Sequence, residues 1–245
     1  MRKMNMKSVG VALAIATLAT GCVCPCAKTC DKACACDEEG FVSLFNGKNL
    51  DGWNDAKHVY KAQDGMIVFE GGKDVFGNLF YHRPFTNFVA RFEFKMKYHG
   101  NNGFGVRAGQ ECFDGGALVG GNKVMSDAAY NGMEIQILDN VCGRDRNLKS
   151  WQFHGSIYGV VGAQHGALNP LGEWNCEEVT VDGDNVTVVL NGKTILACSI
   201  ADLPTDGGTP DGKPHPGLHN KSGYIGFLGH TEPTWIRNFR IKELR

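Results

Sequence analysis

Apolar and polar residues alternate from residue 41 onward, in short runs separated by turn dipeptides. Residues 90–97 alternate Ala, Phe, Phe and Met with charged residues, which is typical of a strand with one buried face. Asp64-Gly65 and Asn191-Gly192 each separate two such runs, and these dipeptides predict tight hairpins. Many short strands, Gly-rich turns and no amphipathic helical pattern after residue 21 predict an all-β sandwich or jelly roll.

One predicted strand, YNGMEIQILDN at residues 130–140, carries polar groups on a single side. Met133, Ile135 and Ile137 alternate as a buried face should. Successive side chains of a strand point to opposite faces, so Glu134 and Gln136 share the other face. A solvated surface explains this pair, and a binding surface explains it better if neighbouring strands are decorated in the same way.

Several other predicted strands carry similar side chains. The additional candidates are Asn102 and Arg107 in NNGFGVR, His154 and Tyr158 in WQFHGSIYG, Trp174 and Asn175 in GEWN, His230 in GYIGFLGH, and Asp139 at the end of YNGMEIQILDN. Planar polar groups bind sugar hydroxyls in pairs, and an aromatic ring stacks on the C–H face of a sugar. The ensemble therefore predicts a sugar site, although solvated surface explains any one residue taken alone.

A set of segments in this order carries a family resemblance: GFVSLFNGKNLDGW, NNGFGVR, YNGMEIQILDN, HGSIYG, GEWN, LNG and GYIGFLGH followed by WIRNFRIKEL. Together they resemble the 3-keto-disaccharide hydrolase family over nearly all of residues 40–245. The resemblance implies a concanavalin-like jelly-roll sandwich of two antiparallel sheets with the site on its concave face. It also implies an oxidised glycoside, with a ketone at C3, as the small-molecule substrate. The loop at 110–129 departs from the family pattern.

A C3 ketone makes the C2 hydrogen acidic, so a base can remove that proton, the C1 glycosidic oxygen can leave by β-elimination, and water can add later. The sequence offers one well-placed Glu on the proposed face and no obvious carboxylate pair, which favours elimination over a two-carboxylate mechanism. A base with a pKa near neutral suits proton removal, so His154 is the first candidate, with Glu134 as its orienting partner or as the alternate base.

The remaining roles follow from the same hypothesis. Arg107 stabilises the enolate oxygen, and Tyr158 or His230 protonates the leaving oxygen. The predicted sugar-binding residues are Gln136, Trp174, Asn175, Asn102 and Asp139. The sequence requires no cofactor, but a divalent metal on His154, Glu134 and Asp139 is an alternative to Arg107.

Two other classes of function stay open at the level of sequence. Concanavalin-like folds often bind glycans without chemistry, so a lipid-anchored lectin would use the same Trp, Gln and Arg side chains. A structural envelope lipoprotein explains the N-terminal region but not the polar face. A formal net charge of −1 gives no indication of a nucleic-acid partner.

The first 21 residues have the pattern of an export signal. A basic start precedes the apolar run VGVALAIATLA, which is too short to span a membrane comfortably. The run ends in LATGC, which resembles a bacterial lipobox and predicts a signal peptide at 1–21 and acylation of Cys22. The expected location is the cell envelope, held to the membrane by lipid. An ordinary secretory signal is the alternative.

Residues 22–39 are rich in cysteine, with six of the ten cysteines between Cys22 and Cys36. Their spacing matches no zinc pattern of two paired ligand couples, so a tether between membrane and domain is favoured over a metal-binding tail. The domain predicted at 40–245 contains Cys112, Cys142, Cys176 and Cys198, whose pairing the sequence leaves open.

Overall fold

The computed structural model describes residues 39–55, 57–113, 127–140 and 147–245. They form an all-β jelly-roll sandwich of two antiparallel sheets, as the sequence predicts. The strands are β1 Val42–Ser43, β2 Trp53–Asp55, β3 Tyr60–Gln63, β4 Met66–Phe69, β5 Phe76–Tyr81, β6 Phe88–Met96, β7 Asn101–Ala108, β8 Met133–Leu138, β9 Asn175–Asp182, β10 Asn185–Leu190, β11 Lys193–Ser199, β12 Tyr224–His230 and β13 Thr234–Glu243. A short helix, α1, spans Gln110–Phe113, and a 3₁₀ turn spans Ser150–Gln152.

The chain passes repeatedly between a larger and a smaller sheet. The larger sheet has the order β11-β10-β9-β6-β13-β4-β3, and β1 also pairs with β13. The smaller sheet has the order β2-β5-β12-β7-β8. Strands that are consecutive in the chain therefore often face one another across the core, and the two inner faces are built from the whole length of the domain.

The core lies between the two sheets and follows the predicted alternation. Phe92 on β6 is buried, and its ring centroid lies 5.2 Å from that of Phe104 on β7 and 5.5 Å from that of Phe227 on β12. Ile135 and Ile137 of β8 belong to the same apolar cluster. Since apolar side chains fill both inner faces, polar functional groups on the strands are left mainly to the outer faces.

Both predicted hairpins are present. Asp64 and Gly65 connect β3 to β4 with φ values of 51° and 75°, and Asn191 and Gly192 connect β10 to β11 with φ values of 50° and 81°. Two consecutive residues with positive φ are what a type I′ turn requires, and Asn, Asp and Gly adopt that conformation at low cost. The two dipeptides therefore predict these turns through the backbone conformations that their residues favour.

A segment without its own strand assignment extends the smaller sheet beyond β8. The Tyr158 N–H donates to the Glu134 carbonyl at 2.9 Å, and the Gly155 N–H donates to the Gln136 carbonyl at 2.7 Å. Ile157 forms a bridge with Ile135 and is buried in the core. This extension places residues 155–158 beside the proposed functional strand.

Some predictions fall on residues that the structure does not describe. They are the signal at 1–21, the acylation of Cys22, nearly all of the tether at 22–39, Cys142, and residues 114–126 of the predicted loop. These stay predictions. Within the described ranges, no helix is long and apolar enough to cross a membrane.

Candidate active site

The outer face of the smaller sheet has the polar decoration that the sequence predicts for β8. Met133, Ile135 and Ile137 belong to the core, so Glu134 and Gln136 project from the opposite face. Each is only 4% exposed. Glu134 Oε1 and Gln136 Oε1 are both buried without a hydrogen-bond partner among the described residues. An unsatisfied buried polar atom costs about 1–3 kcal/mol, so two adjacent ones indicate a functional constraint rather than a structural need.

Glycines form the floor beside these two side chains. Gly103 pairs with Gln136 and Gly105 pairs with Glu134 across the β7–β8 ladder. A Cβ atom at Gly103 would lie 2.0 Å from Glu134 Oε1, so the carboxylate occupies the space that a side chain would fill. Glycine at this position therefore allows Glu134 to fold back over the sheet.

The environment of Glu134 changes its acidity. Burial raises the pKa of Glu134 to about 8, and the nearby charge of Asp127 adds to this effect. A carboxyl group whose pKa lies near neutral is suited to general base or acid catalysis. Asp127 Oδ1 also accepts the Ala129 N–H at 3.1 Å, which fixes the turn that leads into β8.

An amide network borders Glu134 along the strand direction. Gln136 Nε2 donates to Asn101 Oδ1 at 2.7 Å, and Asn101 is the β-ladder partner of His230. His230 follows Leu228 on the outer face of β12, and its ring centroid lies 5.5 Å from that of the exposed Phe76. Gln136 and His230 therefore share one face, as predicted, with Asn101 between them.

Tyr158 also belongs to this face. Ile157 points into the core, so the next side chain in the extended segment points outward beside Glu134. Tyr158 is half-buried, and burial raises the pKa of its phenol, with the charges of Tyr130 and Glu134 adding to the effect. The phenol therefore stays protonated near neutral pH and is able to donate a proton.

Two residues that sequence reasoning missed lie next to Tyr158. The Lys213 ammonium donates to the Tyr130 hydroxyl at 2.8 Å and lowers the pKa of Tyr158. The two partners are 83 positions apart, in a loop and in the turn before β8, so no local sequence signal connects them. Asn101 was also missed, but the alternation of β7 could have identified it: Phe104 and Val106 point inward, so Asn102 does too and Asn101 does not.

Arg107 cannot bind a ligand on this face, because its guanidinium is already engaged by other residues. It lies at the end of β7 with φ of 50°, and its guanidinium donates five hydrogen bonds, to the Thr86, Gly183 and Asn220 carbonyls and to Asn87 Oδ1. A guanidinium has five N–H donors, so all are used. The placement corrects the predicted enolate role: Arg107 is fully buried and ties three loops together.

His154 points into the sandwich rather than onto the outer face. Its side chain is 1% exposed, its ring centroid lies 5.1 Å from that of Phe94, and Nε2 lies 3.6 Å from Glu177 Oε2. The predicted alternation through His154 and Tyr158 fails because Gly155, between them, adopts φ of 77°. Burial lowers the pKa of His154 to about 3, so its ring is uncharged near neutral pH, and burial raises the pKa of Glu177 well above its usual value.

Asn102 and Trp174 also lie away from the predicted face. Asn102 is fully buried on the inner face of β7, where Nδ2 lies 3.4 Å from the Tyr60 hydroxyl. Trp174 lies on the other side of the molecule, with Arg237 Cζ 3.9 Å from its ring centroid. Neither can reach a sugar that contacts Glu134, since Asn102 follows the inward alternation of β7 and Trp174 stacks on the larger sheet.

Asp139 and Asn175 line a separate cavity of about 580 Å³ at one end of the sandwich, together with Met96, Phe153 and Glu173. Asp139 Oδ2 accepts the His99 N–H at 3.1 Å. The alternative metal site fails on placement, because Glu134, His154 and Asp139 point to the outer face, the core and this cavity respectively. Within the described ranges, no group of three or more His, Cys, Asp or Glu side chains is placed to hold a metal ion.

The fold and the site define a class of protein: a β-sandwich with a buried acid and amides on the outer face of one sheet. A protein of Parabacteroides distasonis with a provisional glycosyl hydrolase name has a TM-score of 0.68 and 27% identity, covering 83% of this chain and 99% of that chain. Carbohydrate-binding module CBM66 of Bacillus subtilis has a TM-score of 0.50 and 10% identity, covering 78% and 96% of the two chains, which shows the fold alone.

Residues 40–242 match the model of the 3-keto-alpha-glucoside-1,2-lyase-like domain, and the chain belongs to this family. A protein of Bacteroides thetaiotaomicron named 3-keto-disaccharide hydrolase is 27% identical over 238 residues, covering 85% of this chain and 80% of that protein. The family resemblance in the sequence is thereby confirmed. The family and this relative support a sugar-cleaving activity of the hydrolase type.

Proposed function

We propose that this protein cleaves the glycosidic bond of glycosides that carry a ketone at C3, by removal of the C2 proton, β-elimination and hydration. The observation that carries the proposal is Glu134, a buried carboxyl group with an unsatisfied oxygen and a pKa of about 8 on the outer face of the smaller sheet. The family match and the name of the Bacteroides relative support the substrate class.

In the first step, the Glu134 carboxylate takes the C2 proton. The C2–H electron pair forms the C2=C3 bond of an enolate, and the carbonyl π pair moves onto the C3 oxygen. Gly103 and Gly105, on the strand paired with that of Glu134, add no side chain between the carboxylate and a sugar ring. Gln136 and Asn101 supply amide groups that suit the hydroxyls of the same ring.

In the second step, the enolate collapses, the C1=C2 bond forms and the C1–O bond breaks. Tyr158 protonates the leaving oxygen, since its phenol is protonated near neutral pH and neighbours Glu134. Water then adds to C1 of the enone and a proton returns to C2, which balances to net hydrolysis. His230, which pairs with Asn101 across the β7–β12 ladder, is the alternative donor of the proton to the leaving oxygen.

The test compares methyl 3-keto-glucoside with unoxidised methyl glucoside, using wild type, Glu134→Gln and the surface control Glu70→Gln. We expect cleavage of the keto compound only, and a loss of about 10²–10⁴-fold in turnover for Glu134→Gln with binding retained. Glu134→Gln should melt at or above the wild-type temperature at alkaline pH. In the wild type, the pKa of Glu134 is higher in the folded than in the unfolded state. The protonated carboxyl therefore contributes stability that is fully present below the unfolded value of 4.5 and is lost as the pH rises through about 8, whereas the amide of Glu134→Gln does not titrate. Wild-type turnover in Glu134→Gln, or equal cleavage of both glycosides, would contradict the proposal.

The second candidate function is a carbohydrate-binding module without catalysis. The similarity of the fold to CBM66 favours this candidate, since β-sandwiches of this shape serve binding as well as chemistry. The same experiment separates the two functions. Binding of unoxidised glycans without cleavage of any keto sugar would identify a binding module.

A further inference from the structure

An exposed lysine and a largely buried tyrosine form a contact pair beside the candidate site. Lys213 Nζ donates to the Tyr130 hydroxyl at 2.8 Å, and the ammonium also lies 5.2 Å from the centroid of the Tyr130 ring. An ammonium has three N–H donors, of which this contact uses one. The Tyr130 hydroxyl accepts from Lys213, which leaves its own hydrogen to donate to another group.

A dedicated turn presents Lys213 to this position. Asp211 Oδ1 accepts the Thr209 hydroxyl at 2.9 Å and the Lys213 N–H at 3.0 Å, and both Asp211 oxygens lie 3.2 Å from His215 Nε2. The buried His215 ring packs 4.9 Å from the Tyr130 ring, measured between centroids. The Gly217 N–H donates to the Tyr130 carbonyl at 2.9 Å. The turn and the tyrosine are therefore fixed relative to each other, with Lys213 at the exposed side of the turn.

The pair adjoins the proposed catalytic groups. Tyr130 lies in the turn four residues before Glu134, and the Tyr158 N–H donates to the Glu134 carbonyl at 2.9 Å. The charges of Lys213, Tyr130 and Glu134 all act on the phenol of Tyr158. Burial raises the pKa of Tyr130, and the hydrogen bond from Lys213 opposes that rise. Tyr130 therefore remains a protonated donor, and the adjacent ammonium makes its hydroxyl a stronger one.

Proton removal at C2 requires a partner for the negative charge that develops on the C3 oxygen. We propose that the Tyr130–Lys213 pair is that partner, with the Tyr130 hydroxyl donating to the C3 oxygen and the Lys213 ammonium stabilising the enolate. The inference rests on the proposed function and names the group that recognises the ketone. It assigns to this pair the role that Arg107 cannot fill, because all five donors of Arg107 are already used.

The test separates proton removal from bond cleavage. Solvent deuterium exchange at C2 of methyl 3-keto-glucoside, followed by NMR, reports enolate formation, while release of methanol reports cleavage. Tyr130→Phe and Lys213→Met should each slow C2 exchange by about 10²–10³-fold, the usual effect of removing one donor to a developing oxyanion. The double variant should lose little more than either single variant, because the two side chains act as a unit.

Three further variants serve as comparisons. Tyr158→Phe should keep C2 exchange and lose cleavage, since its proposed role begins at the leaving oxygen. Lys213→Arg should retain part of the exchange rate because it keeps the charge. Lys221→Met removes a surface lysine that is bonded to Asp184 and should exchange as the wild type does. Melting temperatures of all variants show whether a loss arises from unfolding.

C2 exchange in folded Tyr130→Phe and Lys213→Met at the rate of Lys221→Met would overturn the inference and leave the proposed function intact. A wild type that neither exchanges nor cleaves contradicts the proposed function itself. Binding then decides the role of the pair. If Lys213→Met binds methyl 3-keto-glucoside more weakly than the wild type does, and binds methyl glucoside equally well, the pair recognises the C3 oxygen. If the variant binds each glycoside as tightly as the wild type does, the inference is overturned.

Discussion

At the scale of single residues, the chemistry of the site depends on how burial changes one carboxyl group. Glu134 pairs with Gly105 across the β7–β8 ladder, and among the described residues the causes that shift its pKa are burial and Asp127, which both raise it. Burial and the charge of Asp127 act in the same direction and bring the pKa of Glu134 to about 8, as the proposed role of a base near neutral pH requires. The same reasoning removes His154 from this role, since its buried ring has a pKa of about 3 and faces Glu177.

The pH dependence of kcat/KM for a 3-keto-glucoside should follow this carboxyl group. Since the base must be ionised, kcat/KM should rise about tenfold per pH unit below about 8 and level off above it. Asp127→Asn removes the like charge, so it should move the rise to lower pH. Profiles of both proteins from about pH 6 to about pH 10 provide the measurement. A rise centred near the ordinary glutamate pKa, or an unshifted profile in Asp127→Asn, would exclude Glu134 as the titrating base.

Some of the site could be predicted from the sequence because a strand has a fixed period. Glu134 and Gln136 were placed correctly, since Met133, Ile135 and Ile137 mark the buried face. His154 departed from prediction because the period is broken at Gly155, whose φ of 77° turns the His154 side chain inward. Lys213 was not predicted, because it reaches Tyr130 from a loop 83 positions further along the chain. Period-two reasoning detects neither a positive φ nor a contact of this range.

At the scale of elements, the Glu134 carboxylate on β8 takes its position because Gly103 on β7 has no side chain. Gly103 lies opposite Gln136, and a Cβ there would meet Glu134 Oε1 at 2.0 Å. At Gly105, in contrast, a Cβ would lie no closer than 3.4 Å to its neighbours, Leu228 Cδ2 and Phe80 Cε1. The two glycines therefore allow the same substitution to be compared on one strand, with and without displacement of the acid.

Gly103→Ala should lower kcat by about 10²-fold, because displacing a catalytic group by about 1 Å is enough for such a loss. Its melting temperature should also fall, because the new Cβ would lie 2.0 Å from Oε1 and 2.6 Å from Cδ and Cγ of the buried Glu134, which must move. Gly105→Ala should keep kcat, and any effect should appear in KM because its methyl group adds to the floor. Steady-state kinetics of the two variants provide the measurement. Equal kcat in both would show that the position of Glu134 does not limit the reaction.

At the scale of the whole molecule, the two outer faces of the sandwich carry different kinds of side chains. The smaller sheet carries Glu134, Gln136 and Tyr158 over a glycine floor. The larger sheet carries long side chains that satisfy one another: Glu93 accepts from Arg237 at 2.7 Å, and Arg237 covers Trp174. A sugar-stacking indole needs an uncovered ring face, and here cations lie over the ring. The sheet assignment therefore separates two aromatic residues, Trp174 and Tyr158, that the sequence predicted to act together.

Trp174→Ala tests this division. The indole lies outside the core, with Lys95 Nζ 4.9 Å and Arg237 Cζ 3.9 Å from its ring centroid, so its removal should cost about 0.5–1 kcal/mol per cation–π contact in stability. Its kcat/KM for a 3-keto-glucoside should stay within about twofold of wild type, as for a substitution that does not touch the site. Tyr158→Phe is the comparison and should lose cleavage. If Trp174→Ala instead abolishes sugar binding in a folded protein, the larger sheet is the sugar-binding face and the site beside Glu134 needs another explanation.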